Sequence, residues 1–401
     1  MSSHTSYFTT TEWPLPASCT PRRGLCCSFL TLVVSCLLLT PAAGQVPNYL
    51  LERIPINEGS SGTVQANQMN NLGMVVGFHT VGGVPTGYVY DHFGHIGYEK
   101  TVHSLTEWIP VLPPGWTTSS CVGINNLGQV VGYFSNAQSQ RIGYYLNVMG
   151  GSTQPPWGLL PTPSGSSYGK HINDNQDVLI YSSDTFQGHL YNLGSGNPYR
   201  TLTDPTSGAP LAFTTETKTD LNNSGQVVGN TLDYFAFRLT PGFLLEFPPL
   251  EKSSTCSIND VGLMAGTLPA TGSRKTATPK RACHYGSQIH VLSSDESFAH
   301  DINNDGDVAG RVGGSNAIYQ NDRKTWFLLD NLVVGSDADL GIWNQTTGKR
   351  AINLADRNAS GFGQILALVN TTSTTGSGKN QVTTTFLRFF VLTPELPQPL
   401  P

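Results

Sequence analysis

The stretch "VGINNLGQVVGYF", Val122–Phe134, returns in altered form along the chain. "MNNLGMVVG" begins at Met69, "INNLGQVVG" at Ile124, "INDNQDVLI" at Ile172 and "LNNSGQVVG" at Leu221. "INDVGLMAG" follows at Ile258, "INNDGDVAG" at Ile302, and a shortened seventh copy, "GFGQILA", at Gly361 after the disturbed stretch "AINLADRNAS". Backbone chemistry accounts for the phrase. An apolar residue ends one strand, and Asn accepts hydrogen bonds from backbone N–H groups ahead of it. Gly supplies the positive φ of a type I turn with a bulge. "QVVG" opens the return strand with β-branched residues, and its closing Gly, as at Gly77, Gly132 and Gly229, lets another backbone approach closely. Each copy is therefore expected to be a β-hairpin, with two variable residues between Asn and Gly.

A second phrase, a small residue followed by aromatic or aliphatic ones, trails each copy in register. It reads "GYVY" at Gly87, "GYYL" at Gly143, "GHLY" at Gly188, "AFRL" at Ala236, "ACHY" at Ala282, "AIYQ" at Ala317 and "TFLRF" at Thr385. Seven copies spaced just under 50 residues apart, each with room for about four short strands, predict an all-β chain folded as a seven-bladed β-propeller. The ring would close by a strand from Tyr49–Ile56 pairing with "TFLRFFVL" near Thr385. An open β-solenoid and a two-domain β protein are the competing architectures.

The paired phrases resemble the HAF family of extracellular repeats, "I-N-x-x-G-x-V-V-G" followed by an "A-F-L"-like strand. Ala236 and Phe237, "RACHY" at Arg281, "WFLLDNLV" from Trp326, "AIN" at Ala351, "GQILA" at Gly363 and "FFVLTP" ending at Pro394 carry the likeness. It covers most of the chain from Met69 onward. It implies an exported protein with a β-rich repeat fold and brings no activity with it.

Composition agrees with a large exported β protein. Of 401 residues only 12% are charged, 43 are Gly, and the net charge is −5. No Lys/Arg run is present to neutralise a phosphate backbone, so nucleic acid is not an expected partner. Arg22 and Arg23 precede the apolar run Leu25–Leu39, which is short for a membrane span of about 20 residues. Ala42 and Gly44 suit a cleavage site, giving a signal peptide over 1–44, a repeat domain over 45–393 and a Pro-rich tail over 394–401. A retained anchor and a lipoprotein box around Cys36 are the alternatives. After cleavage the chain would keep Cys121, Cys256 and Cys283 and have no membrane span. Cys256 and Cys283, in one repeat, are the candidates for a disulfide, against three buried thiols.

Motifs for catalysis are missing: no H-E-x-x-H, no paired Cys, no G-x-S-x-G elbow and no phosphate loop occur. No cofactor is expected. Asp301, Asn303, Asp305 and Asp307 spell a D-x-N-x-D-G-D run like a calcium loop, but Val312 stands where the closing acid belongs. A solvated turn is the competing reading. His92, His95 and His103 are read as decorating a hairpin, against a metal site. Among the tryptophans between phrases, Trp108, Trp116, Trp157 and Trp343 are candidates for a sugar-binding surface, against ordinary inter-blade packing. The long inserts Pro110–Ser119, Gly150–Gly169 and Gly335–Thr347 are candidate ligand loops. The function expected is a noncatalytic exported module that binds carbohydrate or a cell-surface protein, or builds the cell surface. The alternative is a carbohydrate-active enzyme, a glycosidase or lyase, with Asp220, Asp301 and Glu216 as its carboxyls.

Overall fold

A computed structural model of the chain describes residues 47–56, 63–150, 157–195, 199–214, 219–241, 243–246, 254–272, 278–344, 348–358, 361–375 and 381–395. The leader over 1–44, the tail beyond 395 and Glu216 lie outside the described residues. What is described is almost entirely strand. Six four-stranded antiparallel sheets and one five-stranded sheet form the seven blades of a propeller.

Blade 1 holds Val64–Met69, Met74–Val81, Val84–Asp91 and Thr101–Ser104, running outward from the axis. Blade 2 holds Thr118–Ile124, Gln129–Ser135, Arg141–Asn147 and Trp157–Leu159. Blades 3, 4, 5 and 6 repeat the plan from Ser167–Ile172, Asp220–Leu221, Ser254–Ile258 and Ser297–Ile302 as their innermost strands. Blade 7 takes Arg350–Leu354, Ile365–Thr375 and Val382–Pro394 from the end of the chain and then Tyr49–Arg53 from its start. Tyr49 pairs with Pro394 and Arg53 with Phe390, and the outer side of the strand pairs in parallel with Val333–Gly335. The closing strand is thus where the sequence places it.

The consecutive apolar residues of each return strand, "VV" in blades 1, 2 and 4, reflect packing on both faces. A second strand has a neighbouring blade on either side, so consecutive residues are both buried. Val130 joins the core shared with Met74, Val76 and Val89 of blade 1, and Val131 joins Ile172, Val178 and Ile180 of blade 3. Both are fully buried. Burying such a side chain contributes up to about 2 kcal/mol, so the alternation glues each blade to both neighbours.

The closing Gly meets the bulge of the innermost strand. A Cβ on Gly132 would lie 2.0 Å from the Ser120 carbonyl oxygen, and one on Gly77 would lie 1.9 Å from that of Gln65. Gly229 differs, its nearest neighbour being the Thr219 side chain at 2.9 Å. Among the described residues one α-helix, Asp337–Asn344, lies between Val333–Gly335 and Arg350–Leu354.

The expected Cys256–Cys283 disulfide is not formed. Cys283 is a free, buried thiol. It pairs across the ladder with Gly266, and Gly266 pairs on its other side with Thr255. A whole strand therefore separates the two cysteines. Two strand spacings put their Cα atoms about 9–10 Å apart, beyond the roughly 7 Å a bridge allows.

Candidate functional site

The turns that follow the innermost strands converge at one end of the axis. In blade 2, Asn125 Oδ1 accepts the N–H of Leu127 at 3.1 Å and of Gln129 at 2.9 Å. Gly128 takes φ +71 and donates its N–H to the Asn125 carbonyl. This is the turn read from the sequence. The decayed third copy makes it too, because Gln176 accepts φ +65 in place of Gly.

The other half of the same amide was not legible. Nδ2 of Asn70 donates to the Asn125 carbonyl at 2.9 Å, that of Asn125 to Asn173 at 2.8 Å, and that of Asn173 to Asn222 at 2.9 Å. Asn222 reaches Asn259 at 2.9 Å, Asn259 reaches Asn303 at 3.0 Å, and Asn303 reaches Ala355 at 3.3 Å. Each turn asparagine is also the joint to the next blade.

The next turn position is not variable. It is Asn71, Asn126, Asp174, Asn223, Asp260, Asn304 and Asp356, always an amide or a carboxylate. The backbone N–H of each donates to the side-chain oxygen of the next, at 2.7–2.9 Å, and the chain closes from Asp356 onto Asn71. Side-chain amides fill the remaining acceptors. Asp174 Oδ2 takes Nδ2 of Asn126 at 2.9 Å and of Asn223 at 3.3 Å, Asp260 Oδ2 takes Asn223 and Asn304, and Asp356 Oδ2 takes Asn304 and Asn71. A belt of seven side chains thus rims the axial opening.

Behind the belt lies a cavity of about 410 Å³ lined by the innermost strands of the blades. Asp220 and Asp301 line it. Asp220 Oδ2 accepts from Ser257 Oγ and from the Ile258 N–H, its Oδ1 accepts the Leu221 N–H at 2.8 Å, and His171 Nδ1 stands 3.6 Å away. Asp301 Oδ2 accepts from Asn353 Nδ2 at 2.6 Å and the Leu354 N–H at 2.8 Å. Both carboxylates tie one blade to the next, as Gln68 does through the Ile124 N–H and Asn353 through the Met69 N–H. Lys170 is the single Lys or Arg among the lining residues. Burial pushes its ammonium down to about 8. Its Nζ lies 5.7 Å from the Tyr181 ring centroid and, among the described residues, makes no hydrogen bond or ion pair.

The calcium reading does not survive. Asn303 Oδ1 is taken up by the N–H groups of Asp305 and Asp307, and Asp301 faces the axial cavity. Asp307 is held by Arg357, at 2.6 Å from Nη2 and 2.7 Å from Nε. The guanidinium's own acid strength falls further, chiefly through that bond. Among the described residues no group of acids, His or Cys is arranged to hold a metal.

Nor do the tryptophans meet at one place. Trp343 is 1% exposed in the helix Asp337–Asn344, its Nε1 donating to Asp330 and Lys349 lying over its ring. It is core and offers no face to a sugar. Trp108 and Trp116 are half-buried against the core between blades 1 and 2, and Trp157 is exposed on the outermost strand of blade 2. None of them lines the cavity. His92 is buried and bonded to Tyr90 and Thr393, and His103 lies against Glu107 and Trp108.

No family model matches the chain, and no characterised protein matches it in sequence. Its architecture has counterparts among solved structures. A streptogramin B lyase superposes with TM-score 0.48 at 13% identity, over 87% of this chain and 98% of that one. A catalytically inactive virginiamycin B lyase from Staphylococcus aureus, with quinupristin, gives 0.47 at 11% identity over 85% and 99%. The WD40 domain of Toxoplasma gondii coronin gives 0.46 at 10% identity over 88% of both. Lyases and a WD40 domain stand side by side there, so the likeness does not choose between enzyme and noncatalytic module. No helix among the described residues is long and apolar enough to cross a membrane.

Proposed function

We propose that the chain is an exported, noncatalytic β-propeller of the HAF type, acting as a binding or cell-surface structural module whose partner is carbohydrate or a cell-surface protein. The observation that carries this reading is the state of the axial carboxylates. Catalysis by a carboxyl pair needs one group able to give a proton and one able to take it, with room for substrate between them. Asp220 and Asp301 instead accept backbone N–H and side-chain donors from the following blade. Their geometry is that of ties between blades. The amide-rich lining of the cavity supports a polar, uncharged ligand, and the sequence over 1–44 supports export.

The test uses the chain from residue 45 onward against a panel of polysaccharides. Retention of a polysaccharide without release of reducing ends is the expected result. Release of reducing ends that vanishes in Asp220→Asn or Asp301→Asn would overturn the reading in favour of a glycosidase or lyase.

A further inference from the structure

Five aspartates line the axial cavity, Asp174, Asp220, Asp260, Asp301 and Asp356, against one ammonium, Lys170. Each aspartate accepts at least two hydrogen bonds within the protein. Lys170 makes none among the described residues. On the next blade Thr219, 2% exposed and lining the same cavity, has a buried hydroxyl without a partner among the described residues. Lys170 is only partly buried and lines the cavity, so its amine is open to a group that arrives with a ligand.

The sign of the lining decides which group. A cleft dominated by carboxylates concentrates cations and repels anions. An anionic ligand is disfavoured at the belt, and a cationic one has no use for Lys170. A neutral ligand remains, and an amine engages a neutral carbonyl as a nucleophile.

We propose that the axial cavity captures a small, neutral, polyhydroxylated aldehyde or ketone, the open-chain end of a reducing sugar, as a reversible imine on Lys170 Nζ. This rests on the binding reading above and narrows its ligand. The amine lone pair attacks the carbonyl carbon, the C=O π pair moves to oxygen, and a proton passes from nitrogen to that oxygen to give a carbinolamine. The hydroxyl then leaves as water and C=N forms; water adds back in reverse. Amine plus carbonyl gives imine plus water, and no oxidant or reductant is needed. A protonated imine keeps the single positive charge of the ammonium it replaces. Gln65 and Asn67 supply polar groups for the ligand's hydroxyls. With Lys170 near pKa 8, about a quarter of it is neutral at pH 7.5, against about one part in a thousand for an ordinary lysine.

The test is reductive trapping in the chain from residue 45 onward, with glyceraldehyde and cyanoborohydride at pH 7.5, read by peptide mass spectrometry. Lys170 is expected to be alkylated at least about tenfold faster than the exposed Lys100 and Lys324, with a pH profile centred near 8. Lys170→Gln and Lys170→Arg should both abolish the fast phase while the melting temperature holds. Labelling of Lys170 no faster than the exposed lysines, or a fast phase surviving in Lys170→Gln, overturns the proposal. Equal rates with propanal and glyceraldehyde overturn its sugar assignment. Loss of polysaccharide retention with fast Lys170 trapping intact would count against the broader binding reading alone.

Discussion

Six of the seven joints between blades are alike, and the seventh is not. From blade 1 through to blade 7 a turn asparagine donates its side-chain amide to the next turn. Between blade 7 and blade 1 the corresponding residue is Ala355, which has no amide to give. That joint keeps the side-chain bonds of Asn353 to Met69 and of Asp356 with Asn71, and adds main chain. Tyr49–Arg53 pairs with Val382–Pro394 inside blade 7, and the residues that follow, Ile54 and Ile56, enter the core between blades 7 and 1. The contrast teaches a division of labour. Repetition can copy one side-chain joint along a chain, but the joint where the two ends meet needs a connection that spans both ends.

The largest test breaks the seam. Leu51 is 2% exposed within the closing strand. Leu51→Asp buries an unpaired carboxylate there and should cost more than about 4 kcal/mol, seen as loss of a cooperative urea transition. A stable, cooperative variant would show that closure does not depend on this strand.

Next comes an ordinary joint. Asn125→Ala removes bonds to Leu127, Gln129 and Asn173 and leaves buried partners unsatisfied. A loss of about 3 kcal/mol in chemical denaturation is expected. A cost below about 1 kcal/mol would mean the asparagine joint contributes little and that Ala355 marks no real difference.

Acid should then separate a regular joint from the seam. His284 of blade 5 packs edge-on to Tyr319 of blade 6 and is pushed down to about 4, mainly by burial, with Lys324 and His290 adding and Asp307 opposing. Its folded value lies below the unfolded one, so between about pH 6.5 and 4 the unfolded chain binds the extra proton. Stability therefore falls as pH drops through that window, by about 2 kcal/mol at pH 4.5. At the seam, burial lowers His92 as well, but Glu52 pulls the other way. Denaturation midpoints across this range should flatten in His284→Asn more than in His92→Asn; the reverse order would locate the acid weakness at the seam.

The smallest effect is on the belt. Asn126→Asp sets a second carboxylate against Asp174, whose Oδ2 now receives the Asn126 amide at 2.9 Å. At this half-exposed site about 1 kcal/mol is expected, shrinking in high salt. A salt-independent change would show that the loss comes from geometry and not from charge.

What the sequence disclosed follows from the range of each interaction. The turn is local: Asn125 serves groups two and four residues ahead, so its chemistry can be read in one line of text. The joint is not local, because the amide of Asn125 meets a carbonyl 48 residues on, and that partner is known only once the blades are stacked. The belt lay between these cases. An Asn or Asp after every turn asparagine is visible in the repeats, but a single repeat does not show that it reaches the next one. Trp343 misled for the opposite reason, since nothing around it announces that the short helix carrying it turns inward. The cavity was out of reach, because Lys170 and Thr219 sit three residues before their turns, where the repeats share no residue type.

Read in order, the rim residues alternate, Asn126, Asp174, Asn223, Asp260, Asn304, Asp356, Asn71, and then two asparagines fall side by side where Asn71 meets Asn126. An odd-membered ring of two kinds cannot alternate all the way round. Seven-fold repetition therefore carries an unavoidable mismatch of parity, and the protein places it between two neutral groups, sparing itself adjacent anions. Six or eight blades would have had no such fault to place.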